Sequence, residues 1–164
     1  MLRRTALKAA SAAVLAIALG TPAASQSDDD MTQASFDTVM SFMGAMGGGD
    51  MDTMANLMAD DMVWLNGGDP SLPWIGRWEG KEAIFGFLGT FSENAAPTLW
   101  ENEDAFASGD TVAVFGRMKL MLKKSGVETD EFNFALRAKV RDGQVVLWNW
   151  FEDSFAISEA YHGK

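Results

Sequence analysis

The segment 110–153 constrains the fold most, because its sequence predicts three long β-strands joined by two tight turns. Ser125-Gly126 and Asp142-Gly143 are pairs typical of such turns. The predicted strands are 111–122, about 128–141, and 144–153. Apolar residues occur on both faces of this meander, so the sheet needs a cover on each side.

The alternation along the second and third strands predicts which side chains share a face. On the second strand, one face is predicted to carry Phe132, Phe134, Leu136, Ala138 and Val140. On the third strand, one face is predicted to carry Val146, Trp148, Trp150 and Glu152, and the other Val145, Leu147, Asn149 and Phe151. Glu152 is therefore an acid at the end of a tryptophan-lined face, which predicts a pocket.

Helices are predicted before the meander. Phe36, Val39, Met40, Met43 and Met46 recur at helical spacing, and Gly47-Gly48-Gly49 ends that helix. Further helices are predicted after a cap at Asp50, from about Lys81 and from Ser154, with strands near 62–65 and 98–107. This order predicts an α+β fold in which helices cover one face of a curved sheet. The other face, with Val145, Leu147 and Phe151, predicts a homodimer through the sheet.

The N-terminus predicts export. Arg3-Arg4 precedes an apolar run at 9–19, and Ala23-Ala24-Ser25 supplies the small residues expected before a cleavage site. Residues 1–25 are predicted to be a cleavable signal peptide, 26–34 a flexible acidic tail and 35–161 the folded domain. The mature protein is then periplasmic or secreted, with the general and twin-arginine routes both open, and it has no membrane association.

The composition and net charge argue against several classes of partner and site. The formal charge of −10 and the lack of a basic stripe oppose nucleic-acid and anionic-membrane partners. The chain has no cysteine, and its one histidine, His162, is interpreted as a solvated tail residue. No metal site, cofactor or Ser-His-Asp arrangement is therefore predicted.

Several motifs along the chain resemble one family. They are Gly49-Asp50-Met51-Asp52, Ala59-Asp60-Asp61-Met62-Val63-Trp64, Leu72-Pro73-Trp74, Gly80-Lys81-Glu82-Ala83-Ile84, Asp142-Gly143-Gln144-Val145 and Phe151-Glu152-Asp153-Ser154. In this order they resemble the SnoaL-like, polyketide cyclase-like proteins of the superfamily that includes nuclear transport factor 2, ketosteroid isomerase and limonene epoxide hydrolase. The resemblance implies a cystatin-like cone, a curved antiparallel sheet wrapped around N-terminal helices with an apolar cavity open at one end.

The resemblance also shows which catalytic groups this chain lacks. Asn66 stands at the position of the ketosteroid isomerase base, and Phe42 and Leu136 stand at its two oxyanion donors. None of these side chains can perform the corresponding role. Arg117 matches the arginine of limonene epoxide hydrolases, but Lys119 and Trp150 occupy about the positions of its two acids.

The residues that remain predict a pocket for a small apolar or aromatic molecule. Its predicted lining is Phe42, Trp64, Asn66, Asp69, Trp74, Leu136, Trp148 and Trp150. The alternative is an enzyme, an isomerase, cyclase or hydrolase, with Glu152 as base and Arg117 steadying an anion, although these two could equally form a structural ion pair. A third hypothesis is a dimeric interaction protein whose cavity is filled by side chains.

Overall fold

The computed structural model describes residues 23–163, with side-chain surroundings from residue 28. The predicted signal peptide lies outside these residues apart from 23–25. The helices are α1 (Ala23–Gly48), α2 (Met51–Leu57), α3 (Lys81–Asn94) and α4 (Ser154–Tyr161). The strands are β1 (Met58–Asn66), β2 (Gly76–Glu79), β3 (Ala95–Ser108), β4 (Thr111–Leu122), β5 (Val127–Glu128), β6 (Phe132–Arg141) and β7 (Gln144–Glu152).

The strands form one curved sheet, which confirms the predicted α+β cone. The strand order is β2-β1-β7-β6-β4-β3, with β5 beside β4. Neighbours are antiparallel except for β1 and β7, which run parallel. The parallel pair matters for function, because the C-terminal ends of β1 and β7 lie side by side and their last residues can share one site.

Side-chain alternation fills the concave side of the sheet as predicted. On β6 the buried residues are Phe132, Phe134, Leu136, Ala138 and Val140. On β4 the buried residues are Val112, Val114, Gly116, Met118, Leu120 and Leu122. Helices α1 and α3 cover this face, and Val39, Phe42 and Ile84 join its core. Asp50 caps α2 as predicted, its carboxylate accepting from the Thr53 amide.

One part of β7 differs from the prediction. Lys139 pairs with Leu147 but the next residue, Val140, pairs with Val145, so Val146 is an extra residue in the ladder. This bulge turns Val145 inward, where it is fully buried, and leaves Val146 only partly buried. The predicted outward position of Val145 is wrong, whereas Trp148 and Trp150 face inward and Phe151 outward as predicted.

The predicted flexible tail at 26–34 is also corrected, because α1 runs through it. The hydroxyl of Thr32 accepts a hydrogen bond from the amide of Gly109 at 2.9 Å, and Ser35 is buried. These contacts hold this part of the helix against the turn between β3 and β4. None of the helices within 23–163 has the length and apolar character of a membrane span.

The convex face of the sheet carries exposed aromatic side chains. Phe106, Phe115 and Phe151 are 61, 43 and 51% exposed. Phe115 and Phe151 each lie opposite Ala135 in the ladder, so they form one row across three strands. The predicted homodimer through this face stays a prediction.

Gly116 is the residue at which the sheet least tolerates a side chain. A Cβ at this position would lie 2.0 Å from the carbonyl oxygen of Glu101 and 2.7 Å from the ring of Phe134. We expect Gly116→Ala to lower the free energy of unfolding by about 3 kcal/mol. Gly86→Ala is the matched control, since a Cβ there meets open space on α3 and should raise stability by about 0.5–1 kcal/mol. Urea unfolding of the parent and both variants measures these free energies of unfolding. Equal stability of Gly116→Ala and Gly86→Ala would contradict the prediction.

Candidate functional site

A cavity of about 790 Å³ lies between the concave sheet and helices α1 and α3. Its helical side is formed by Met40, Met43, Gly44, Met46, Gly47, Phe87, Leu88, Phe91 and Ser92, with Met51 from α2. Its strand side is formed by Trp64, Asn66, Ala95, Ala96, Pro97, Trp100, Asn102, Met118, Trp150 and Glu152, and Lys123 follows the end of β4. The lining is therefore largely apolar with a few polar groups, as in sites for small organic molecules.

The polar end of the cavity is built by the parallel pair of strands. Trp64 and Asn66 come from β1, and Trp150 and Glu152 come from β7. Asn66 lies directly beside Trp150 in the ladder. Residues two apart on a strand point to the same side, so all four side chains face the concave side together.

Glu152 is a partly buried acid without a cationic partner in the described part of the chain. Its Oε2 accepts a hydrogen bond from Trp150 Nε1 at 2.9 Å, whereas its Oε1 is buried and has no partner. Burial raises the pKa of Glu152 to about 7, against the weaker opposing effect of Trp150 and then Asn66. The carboxyl is therefore poised between its neutral and ionised forms near neutral pH.

Two more polar atoms at this end of the cavity are buried without partners. Asn66 Nδ2 donates to the carbonyl oxygen of Trp74 at 3.4 Å, but Asn66 Oδ1 has no donor. Trp64 Nε1 has no acceptor. Buried polar groups in folded proteins are normally paired, so an indole donor, an amide acceptor and the Glu152 carboxyl remain available to a bound molecule.

Aromatic rings fix the walls around these polar atoms. The ring of Trp150 stacks on that of Phe134 at 4.6 Å, and Trp100 lies 5.6 Å from Trp150. On the neighbouring strand β1, the ring centroid of Trp64 lies 5.2 Å from that of Phe87. Such contacts hold each ring in place, so the cavity presents flat apolar surfaces with little freedom to collapse.

Four residues predicted to line the pocket belong to the core instead. Phe42, Trp74, Leu136 and Trp148 are each at most 1% exposed and do not contribute to the cavity lining. Phe42 packs on Trp148 at 4.8 Å, and Trp74 packs edge-on against Tyr161 at 5.4 Å. Trp64, Asn66, Trp150 and Glu152 are the predicted residues that the structure does bring together at the cavity.

Arg117 does not meet Glu152, so the predicted pairing of these two residues is wrong. Arg117 lies on the convex side of β4, because it alternates with the inward Gly116 and Met118. Its guanidinium donates to Glu101 at 3.0 Å and to Glu131 at 3.1 Å, and these bonds raise its pKa. Arg117 therefore belongs to a cluster of charged residues on the convex face of the sheet.

Asp69 anchors a loop rather than lining the cavity. Its carboxylate accepts hydrogen bonds from the hydroxyl of Ser158 on α4 and from the amide of Ser71, which lower its pKa to about 2. His162 is exposed, as predicted for a solvated residue, but it is also held here, with Nε2 lying 3.0 Å from Ser71 Oγ and 3.9 Å from Asp69 Oδ2. Because the same ring nitrogen faces both residues, this arrangement is not a catalytic relay.

A smaller cavity of about 310 Å³ adjoins the same polar end. Asn66, Trp150 and Glu152 line both cavities. Gly67 and Gly76 form part of the smaller cavity, where the chain leaves β1 and enters β2. Glu152 is thus shared by the linings of the two cavities.

The cavity lining includes residues that the sequence patterns do not predict there. They are Trp100, Phe87 and Lys123, together with Met40 and Met43, whose spacing predicts only helix packing. A signal existed for Trp100, which lies in the predicted strand 98–107. No pattern in the sequence marks Lys123, because its place at the cavity depends on where β4 ends.

The buried carboxyl of Glu152 makes stability depend on pH. Its pKa in the folded protein, about 7, lies above the ordinary value of 4.5, so ionisation favours the unfolded chain. Stability should be unaffected by this group below about pH 4.5, fall between about pH 4.5 and 7, and stay low above. The difference of about 2.5 pKa units is worth roughly 3 kcal/mol.

We therefore expect Glu152→Gln to be more stable than the parent by roughly 3 kcal/mol at about pH 8 and nearly equal at about pH 4. Urea unfolding across this range measures the difference. Glu159→Gln makes the same chemical change at an exposed position of α4 and should leave the pH profile unaltered. A Glu152→Gln profile parallel to that of the parent would show that Glu152 is not the titrating group.

Comparisons with known proteins agree with this architecture. The sequence profile of the SnoaL-like domain matches residues 39–148. An NTF2-like protein from Burkholderia xenovorans LB400 is 26% identical, with a TM-score of 0.73 over 79% of this chain and 97% of that one. A search of the curated proteins found no match.

Two other solved structures share the fold at lower identity. A protein of unknown function with a cystatin-like fold from Xanthomonas campestris is 22% identical, with a TM-score of 0.64 over 79% of this chain and 98% of that one. An LEH-like epoxide hydrolase from M. tuberculosis is 20% identical, with a TM-score of 0.62 over 80% and 92%. The profile match covers more than half of the chain, so this protein belongs to the family of SnoaL-like domains.

Proposed function

We propose that this protein binds a small, largely aromatic molecule in the cavity between the sheet and helices α1 and α3, with the polar group of that molecule at Glu152. The observation that carries the proposal is the set of buried polar atoms without partners at one end of an aromatic cavity. These atoms are Trp64 Nε1, Asn66 Oδ1 and Glu152 Oε1. A ligand with a hydroxyl or carbonyl group would pair them and cover the aromatic walls.

The size of the cavity favours binding over a purely structural role. About 790 Å³ falls within the range of sites for drug-sized molecules. The alternative of an interaction protein requires that side chains fill this space, which agrees less well with a cavity of this volume. The predicted Trp64 and Trp150 contribute to its walls, together with Trp100 and Phe87.

Gly44 offers a way to narrow the cavity with little disturbance of the fold, because it is exposed. It lines the cavity on α1, and a Cβ at this position meets nothing within 4 Å. We expect Gly44→Leu to fold normally and to weaken binding of N-phenyl-1-naphthylamine, a neutral aromatic probe, by about tenfold or more. The fluorescence of the probe, titrated with protein, measures the affinity.

Gly89→Leu is the matched control, because Gly89 is exposed on α3, has the same open surroundings and does not line the cavity. It should bind the probe as the parent protein does. Equal affinity of the probe for the parent and for Gly44→Leu would place the probe elsewhere, and the proposal would fail.

A second candidate function is proton-transfer catalysis at Glu152, which the raised pKa of this group favours. An acid with a pKa of about 7 in an apolar site is matched to general acid-base catalysis at neutral pH. Arg117 cannot steady an anion there, since it lies outside the sheet. The free indole donor of Trp64 is the group that could do so.

The base strength of Glu152 can be tested with 5-nitrobenzisoxazole, whose ring opens when a base removes its carbon-bound proton. Glu152 would take the proton as the N–O bond breaks to give the coloured phenolate. We expect the rate to rise with pH through about pH 7, as the carboxylate forms. Glu152→Gln should lower the rate at about pH 8 by about 100-fold, and Glu159→Gln should not change it. A rate unaffected by Glu152→Gln would remove the catalytic candidate and leave the binding proposal intact.

A further inference from the structure

We propose that the ligand is an aromatic acid, and that Lys123 binds its anionic group at the end of the cavity away from Glu152. This inference rests on the proposed binding function and adds the chemical class of the ligand. Lys123 is the cationic residue among those that line the cavity. The ligand would therefore have apolar rings, a hydrogen-bonding group at Glu152 and a carboxylate or similar anion at Lys123.

The charge of Lys123 has no acidic partner in the described part of the chain. The salt bridges there are Arg77–Glu79, Lys81–Asp60, Arg117 with Glu101, Glu103 and Glu131, Lys119–Glu128, Lys139–Asp110, Arg141–Asp61 and the contact of His162 with Asp69. The neighbouring Lys124 lies over the ring of Tyr161 at 4.3 Å. Lys123 is exposed where it lines the cavity, so its ammonium group is accessible to an external anion.

The position of Lys123 is fixed by backbone contacts. Its amide donates to the carbonyl oxygen of Asn94 at 2.8 Å, and its Nζ donates to the carbonyl oxygen of Ser92 at 2.6 Å. Both acceptors belong to the last turn of α3. These bonds hold the ammonium group beside the cavity.

The contact with Ser92 also allows a structural role, because cations stabilise the C-terminal ends of helices. That role uses one of the three donors of the ammonium group, so two remain. A purely structural lysine would affect stability but would not distinguish a charged probe from a neutral one. This difference separates the two roles experimentally.

The two polar ends of the cavity lie well apart. Glu152 pairs with Phe134, which pairs with Gly116 on β4. Lys123 follows seven residues later, which corresponds to roughly 20 Å along the strand, shortened by the curvature of the sheet. Apolar lining fills the interval, including Met118, Ala95 and Pro97. An elongated molecule with its polar groups at opposite ends fits this arrangement.

Two fluorescent probes with the same rings test the inference. N-phenyl-1-naphthylamine is neutral, and 8-anilino-1-naphthalenesulfonate adds one anionic group to that body. We expect Lys123→Gln to weaken binding of the sulfonate by about fivefold and to leave the neutral probe unchanged. Lys123→Arg should retain most of the sulfonate affinity, and Lys124→Gln should behave as the parent.

The salt dependence of the parent and of Lys123→Gln gives a second measurement. Salt screens both the attraction of the sulfonate to Lys123 and its repulsion by the net charge of −10, and the repulsion is nearly the same in the parent and in Lys123→Gln. Raising NaCl from about 20 to about 500 mM should therefore narrow the difference in sulfonate affinity between these two proteins and leave the neutral probe unaffected. If Gly44→Leu abolishes binding of the sulfonate but Lys123→Gln leaves it unchanged, the proposed anion site alone is overturned. If Gly44→Leu binds both probes as tightly as the parent does, the proposed function of the cavity is overturned as well.

Discussion

The contact of Phe42 on α1 with the paired tryptophans of β1 and β7 determines how the helices sit on the sheet. Phe42 lies 4.8 Å from Trp148 and 6.4 Å from Trp64, and the two indoles lie 5.3 Å apart. This contact fixes the height of α1 above the concave face. Beyond it the helix presents Gly44 and Gly47, which have no side chains to reach the strands. The cavity therefore begins where the aromatic core ends.

The polar groups at one end of the cavity lower the stability of the folded protein. Burial of the Glu152 carboxyl disfavours its charged form, and the opposing effects of Trp150 and Asn66 do not offset this. Asn66 and Trp64 add two more polar atoms without partners. Elsewhere the core is filled by apolar side chains, with the indole nitrogens of Trp74 and Trp148 as further buried polar atoms without a partner. Such local costs in an otherwise consistent core are expected at functional sites.

The sequence predicted the fold well, because strict alternation and turn residues left few alternatives for β4 and β6. It could not predict the bulge in β7, since Val145 and Val146 are chemically identical and either can face inward. It also misplaced Arg117. Both faces of β4 carry apolar residues, so periodicity alone did not say which face is concave, and the family resemblance pointed to the wrong one. Glu152 and Trp150 were predicted correctly to share a face because that strand alternates from Trp148 onward.

The outward position of Arg117 has a consequence for Glu152. A guanidinium beside this carboxyl would lower its pKa and hold it ionised, so that it could only accept hydrogen bonds. Without that cation, the apolar walls keep the pKa near 7, and Glu152 can either donate to a ligand carbonyl or accept from a ligand hydroxyl. A ligand that displaces water from the cavity would further favour the neutral, donating form, unless the ligand itself offers a donor. The protonation of Glu152 and the chemistry of the bound group are therefore coupled, and Lys123, beyond the end of β4, lies too far away to override this coupling.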